Sequence, residues 1–302
     1  MPTYLATVIA MIAFAANSIL CRLALAQGSI DPGSFTVIRI VSGFLTLAII
    51  HFAVKAASDS NGSSKSALLS PESLLPKTKL EITLAALGGL SLFAYAIGFS
   101  YAYVELAAGT GALLLFGSVQ MTMIGFHIFQ GNTLNRYETL GLTISLLGFA
   151  FLMLPSASAP DLFSALLMVA AGVSWAALTL LGKRSSNVSP RASMTRCFMA
   201  ASVVTLLLSP WLMTVEQVTL MGFVWAILSG AFASGVGYVI WYFALTQLTV
   251  LKASVAQLSV PIIALIAGAL LLGESLSVTV VMTSLMILGG IALIFLAKNK
   301  TN

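Results

Sequence analysis

A few side chains set inside long apolar runs could recognise a polar solute without carrying charge. Asn17 follows Phe14 by three residues, Phe99 follows Tyr95 by four and Trp241 follows Tyr238 by three, so each pair shares a helical face. Gln120, Trp175 and Gln257 stand singly in other runs, Gln257 one turn before Pro261. An amide offers N–H donors and a carbonyl acceptor, which suits both an ammonium and a carboxylate. Aromatic faces attract an ammonium through the ring quadrupole. The same residues have plainer uses: amides glue helices together at roughly 0.6–2 kcal/mol each, and aromatics pack or form an interfacial belt. Belt placement suits Trp211 and Trp225 better than Trp175, which falls near the middle of its run.

The missing charges are equally informative. No Asp, Glu, Lys or Arg falls near the middle of an apolar run. A mid-membrane charge costs at least ~2.5–3.5 kcal/mol, and where one occurs it marks an ion or proton site. The pattern therefore argues against a carboxylate proton relay and against buried basic residues that hold phosphate. A neutral or zwitterionic solute is expected. Arg39, a little below the outer surface, is expected to snorkel or to cap neighbouring carbonyls; attraction of substrate carboxylates is the lesser alternative. His51 and His127 are isolated and read as packing residues. Cys21 and Cys197 have no ligand spacing, so neither a disulfide nor a metal site is indicated, and no cofactor is expected.

Composition sets the surroundings of these residues. The chain has 302 residues, 59% apolar and 8% charged, with a mean hydropathy of +1.04. Soluble domains carry about 25% charged residues, so this is an integral membrane protein. Roughly 20 residues of helix cross a ~30 Å hydrocarbon core, and peptide groups in lipid must pair within the segment. Ten helical spans are expected: about Tyr4 to Ala26, Ser34 to Val54, Leu80 to Tyr103, Ala107 to Phe129, Tyr137 to Leu154, Leu162 to Lys183, Ala192 to Met213, Leu220 to Thr246, Leu251 to Leu272 and Leu276 to Ala297. Ala24-Leu25-Ala26 resembles a signal-peptidase site, but a basic n-region is lacking and Arg22 precedes the cut, so the first helix is expected to be retained. The one sizeable connection, Lys55 to Lys79, is polar and contains two prolines. Pro261 alone among the prolines is expected in mid-span, where it would kink the ninth helix and act as a gating hinge.

Charge also sets the orientation. With the N-terminus in the cytoplasm, every basic residue except Arg22 and Arg39 lies on the inner side, and both termini are inside. The net charge of +5 is explained by this bias, not by nucleic acid. Tyr101 to Leu154 can be laid without a gap on Phe243 to Leu296, which puts Gly131 on Gly273, Gly148 on Gly290 and Gly88 on Gly230. A shorter match pairs Phe14-Ala15-Ala16 with Trp175-Ala176-Ala177. Two homologous halves, residues 1–155 and 156–302, are expected. Five spans is an odd number, so the second half enters the membrane inverted. Inverted repeats place a solute site near mid-depth between them.

The final hairpin, with Gln257, Pro261, Gly273-Glu274 and Gly289-Gly290, together with the Phe14 and Trp175 openings, resembles the drug/metabolite transporter superfamily, specifically its ten-helix EamA-type exporters. The likeness covers nearly the whole chain, and the overall look is similar to YddG-type amino-acid exporters. It implies a secondary transporter that exports amino acids or related small metabolites across a bacterial inner membrane; a monomer in the lipid, with a small-molecule substrate as its partner, is expected. The first-half counterpart of Gly273-Glu274 is Gly131-Asn132, so one copy of the motif lacks its charge. Two other classes stay open. Gly172-Val173-Ser174 suggests a serine nucleophile of an intramembrane hydrolase, but neither histidine is obviously placed to activate Ser174. A passive channel would show a filter or ring of charge. A Gly-rich loop ending in Gly-Lys-Ser/Thr is absent, which excludes nucleotide-driven transport within the chain.

Overall fold

The computed structural model describes residues 2–58, 74–154, 159–184, 189–214, 218–245, 247–248 and 256–298. Among these the chain is helical, with α1 Thr3–Leu25, α2 Pro32–Ser58, α3 Lys79–Ala102, α4 Ala108–Phe129, α5 Arg136–Leu152, α6 Leu162–Arg184, α7 Pro190–Leu212, α8 Leu220–Leu245, α9 Ser259–Leu272 and α10 Val278–Lys298. Seven are long and apolar enough to cross a membrane. The protein is an all-α polytopic membrane protein.

Local chemistry explains the helix ends. Thr78 caps α3 by accepting from the Glu81 N–H, and Asn135 with Glu138 forms a reciprocal capping box at the start of α5. Asp31 Oδ1 accepts from the Ser34 N–H at the start of α2, and Ser189 accepts from Ala192 before the Pro190 that opens α7. Gly131 and Gly273 end α4 and α9 with φ of +85° and +66°, a left-handed conformation that glycine adopts without a Cβ clash. The two aligned copies therefore use the same stop, but their second residues differ. Asn132 Nδ2 donates back to the His127 carbonyl of its own helix, 3.0 Å, whereas Glu274 reaches across the bundle.

Contacts between helix ends show the directions of the helices. Thr3 Oγ1 donates to Gln247 Oε1 (2.6 Å) and Arg196 pairs with Glu81 (2.9 Å) at one end. Gly33 lies on Leu212, Gly222 on Ser29 and Glu274 on Ala108 at the other. These are called here the Arg196 end and the Arg22 end. α3 packs on α6 and α7 as α8 packs on α1 and α2, and α5 packs along α10. Close approach depends on small residues, as expected where lipid removes the hydrophobic drive between helices. Gly88 of α3 abuts Cys197 of α7, and Gly230 of α8 abuts Ser42 and the Arg39 carbonyl of α2. The outer faces expose apolar stripes at helical spacing, such as Leu5, Val8 and Ile12 on α1 and Ile262, Ile266 and Leu270 on α9, a surface suited to lipid.

Three details go beyond the expected spans. Leu228–Val236 of α8 is π-helix, a wider turn that the sequence did not announce. α9 starts at Ser259 after a break at Leu258, and 14 residues span only about 21 Å; its expected first residues from Leu251 lie outside the described ones. Pro261 falls in the first turn after that break, and Ala256 and Gln257 on the other side of the break are helical too. Its missing N–H is one of the donors that the start of a helical segment leaves over. Most of the Lys55 to Lys79 connection also lies outside the described residues.

Candidate functional site

Phe14 and Asn17 of α1, Tyr95 and Phe99 of α3, Trp175 of α6, Tyr238 of α8 and Gln257 meet around one cavity. Ser18, Leu115, Phe116, Val119 and Ala233 complete its walls. None of the wall residues is an acid, a lysine or an arginine. The enclosed space is small, about 30 Å³ in which the centre of a water molecule can move, room for one or two waters.

The aromatic side chains form a connected set. Trp175 stacks on Tyr238 at 5.3 Å and 26°, and lies 4.8 Å from Tyr95. Phe14 meets Tyr238 at 5.6 Å, and Tyr95 meets Phe99 at 5.4 Å. Four helices thus converge through ring contacts worth about 0.5–1.5 kcal/mol each beyond their buried area. Asn17 has two roles. It lines the cavity, and its Oδ1 accepts from the Ser229 hydroxyl at 2.6 Å, which ties α1 to the π segment of α8. Gln257 is helical and half-buried, directly before the break at Leu258.

Two expected site residues stand back from the walls. Trp241 is buried and meets Phe14 in a T-shaped contact at 6.0 Å, a support for the cluster. Gln120 is buried beside Val119 but is not part of the lining. Ser174 donates to the Ala170 carbonyl of its own helix at 2.9 Å, an ordinary back-bond within a helix. Among the described residues no group of three or more His, Cys, Asp or Glu could hold a metal.

Arg39 corrects a further expectation. It does not snorkel: the residue is 2% exposed. Its Nη2 donates to the Tyr95 hydroxyl at 2.9 Å, and its guanidinium lies 4.6 Å from the Phe99 ring centre and 5.2 Å from that of Tyr95. Depth along α2 was readable from the sequence; the direction of the side chain was not.

Above the cavity, toward the Arg22 end, Tyr103 lies edge-on to Phe99 at 4.6 Å and donates its hydroxyl to the Ala108 carbonyl. Over it sits a charged cluster. Arg22 Nε is 3.4 Å from Glu274 Oε1, while Arg22 Nη1 donates to the carbonyls of Tyr103 and Val104. Glu274 accepts from the Ala108 N–H at 2.9–3.0 Å, at the start of α4 where the helix dipole favours an anion. Gly268 leaves the space that the carboxylate occupies. At the Arg196 end, Arg196 holds Glu81 and donates to the carbonyls of Leu74 and Leu75.

Comparison with known proteins agrees with this architecture. Residues 162–296 match the model of the EamA-like transporter family. The chain is 43% identical to "Uncharacterized protein PA1977" of Pseudomonas aeruginosa, over 97% of this chain and 94% of that one. It is 24% identical to "Uncharacterized transporter YoaV" of Bacillus subtilis over 69% of this chain and 71% of that one. An "Uncharacterized transporter" of Archaeoglobus fulgidus is 25% identical over 69% and 75%. A crystal structure with 15% identity superposes over 97% of this chain and 98% of its own with a TM-score of 0.64, a likeness of fold. The protein is a membrane transporter: it belongs to the EamA-like transporter family, within the drug/metabolite transporter superfamily.

Proposed function

We propose that the protein exports amino acids or closely related zwitterionic metabolites across a bacterial inner membrane, by alternating access between two inverted five-helix halves. The observation that supports this reading is the cavity between the helices. Its walls come from both halves, are built of aromatic faces and amides, and hold no acid, lysine or arginine. Such walls suit an ammonium on Trp175 and Tyr238 and hydrogen bonding to Asn17 and Gln257. The paired helix contacts (α3 on α6 and α7, α8 on α1 and α2) support the repeat at residues 1–155 and 156–302. The break at Leu258 beside Pro261 is where α9 would hinge as the halves exchange conformations. Both termini are read as cytoplasmic, and a single chain supplies both halves.

Counterflow in proteoliposomes tests the function. Labelled phenylalanine trapped inside should exchange saturably with external amino acids. Unsaturable ion current instead would indicate a channel. Trp175→Ala should weaken the exchange about tenfold or more, the ~1.4 kcal/mol scale of one lost aromatic contact to a cation. Unchanged affinity in that variant would remove Trp175 from the site.

A further inference from the structure

We propose that Arg39 is the carboxylate-recognising residue of this cavity, so that the transported solute must carry a carboxylate. The inference rests on the transporter reading above and narrows its substrate class.

A guanidinium keeps its charge under all physiological conditions and has five N–H donors. In Arg39 these donors are almost all removed from water, since the residue is 2% exposed. Nη2 is satisfied by the Tyr95 hydroxyl, but Nη1 is buried with no hydrogen-bond partner. The acids that could neutralise it are engaged elsewhere. Glu274 is held by Arg22 and Ala108, Glu81 by Arg196, and the two oxygens of Asp31 accept from the Ser34 and Thr214 N–H groups. Among the described residues no carboxylate pairs with Arg39. A buried ionic group without a counter-charge inside a membrane protein is costly and marks a site of function.

Its position supplies the rest. Arg39 lies against Tyr95 and Phe99, both of which are cavity walls. A small rotation of the Tyr95 ring exposes the unpaired N–H to a solute oxygen. A carboxylate at that point supplies both the missing acceptor and the missing charge. The ammonium of the same molecule is then directed to the aromatic rings of Trp175 and Tyr238 in the cavity wall. Cation–π contact alone accounts for the stacking on Phe99 but leaves Nη1 unanswered.

The test compares solutes that share a phenyl group and differ in which charged groups they carry, measured by inhibition of counterflow in proteoliposomes: phenylalanine, its methyl ester, phenethylamine and 3-phenylpropionate. For the wild type, the two carboxylates should inhibit at least tenfold more strongly than the ester and the amine. In Arg39→Gln that preference should vanish, with inhibition by the ester and amine kept or strengthened. Arg39→Lys should retain part of it. Equal inhibition by acid and ester in the wild type would overturn the proposal without any variant, and so would an equal loss for all four compounds in Arg39→Gln reconstituted with an unchanged melting temperature. If Arg39→Gln does not fold, the wild-type comparison and Tyr95→Phe, which frees the guanidinium and should raise affinity for carboxylates alone, decide the matter. Thermal stabilisation of the purified wild type by 3-phenylpropionate but not by phenethylamine, with no phenylalanine counterflow, would uphold Arg39 and refute amino-acid export. Phenylalanine transport blocked equally by its ester would do the reverse.

Discussion

Glu274→Ala is expected to lower the melting temperature clearly and to loosen the Arg22 end of the bundle. The substitution removes the acceptor of the Ala108 N–H and the only carboxylate that pairs with Arg22 among the described residues. Hydrogen bonds to a charged group contribute about 1.5–3 kcal/mol each. The pair is partly shielded, with side chains 21% and 15% exposed, so Arg22 keeps some access to water and the tyrosine and valine carbonyls. A loss of roughly 2–4 kcal/mol is expected, short of the upper range for a fully buried pair broken on one side. Glu274→Gln keeps an acceptor for Ala108 but no charge for Arg22, and should fall between. Thermal unfolding in detergent measures all three proteins. A Glu274→Ala variant that melts with the wild type would show that the cluster contributes nothing. Because the cluster covers Tyr103 above the cavity, a cysteine placed at Ser18, with Cys21 and Cys197 replaced, should also react faster with a maleimide in this variant.

Gly230→Val is expected to abolish recovery of folded protein. A Cβ at position 230 would meet Ser42 Oγ and the Arg39 carbonyl. The second is backbone of a packed helix and cannot rotate away. Overpacking with flexible neighbours costs about 1–3 kcal/mol, and a rigid neighbour places this site at or beyond that range. Gly235→Ala is the matched control. There the added carbon lies 3.0 Å from the Thr46 side chain, a neighbour that can give by a few tenths of an ångström. Monodisperse yield on size exclusion should therefore fall severely for Gly230→Val and modestly for Gly235→Ala. Similar behaviour of the two would mean that α2 and α8 are not held at the distance seen.

The helices were legible because lipid demands apolar runs of a set length, and their stops because Gly131 and Gly273 occupy a conformation that other residues rarely adopt. The aromatic cluster was legible for a related reason. Residues three and four apart share a face, so Tyr95 with Phe99 and Phe14 with Asn17 had to point the same way. Which way they pointed was not written in the spacing, and Gln120 and Trp241 turned out to sit just behind the walls. Arg39 failed on the same ground: position along an axis is counted in residues, but rotation about it is set by what the neighbouring helix offers, here the Tyr95 hydroxyl. The break at Leu258 escaped because single polar residues such as Gln257 and Ser259 sit as readily within a continuous membrane helix as beside a break. The π turn escaped because its glycines and serines serve equally well in ordinary close packing.

The size of the central compartment has a consequence for any measured affinity. Space for a water or two cannot admit a phenylalanine side chain, so the rings must part before a solute enters. Part of the intrinsic attraction is therefore diverted into widening the site, and the observed dissociation constant equals the intrinsic one divided by the fraction of molecules already widened. Substitutions that favour the expanded form should tighten binding without touching the solute at all, and a solute that binds very tightly should travel slowly, because it holds the walls apart on one side of the membrane.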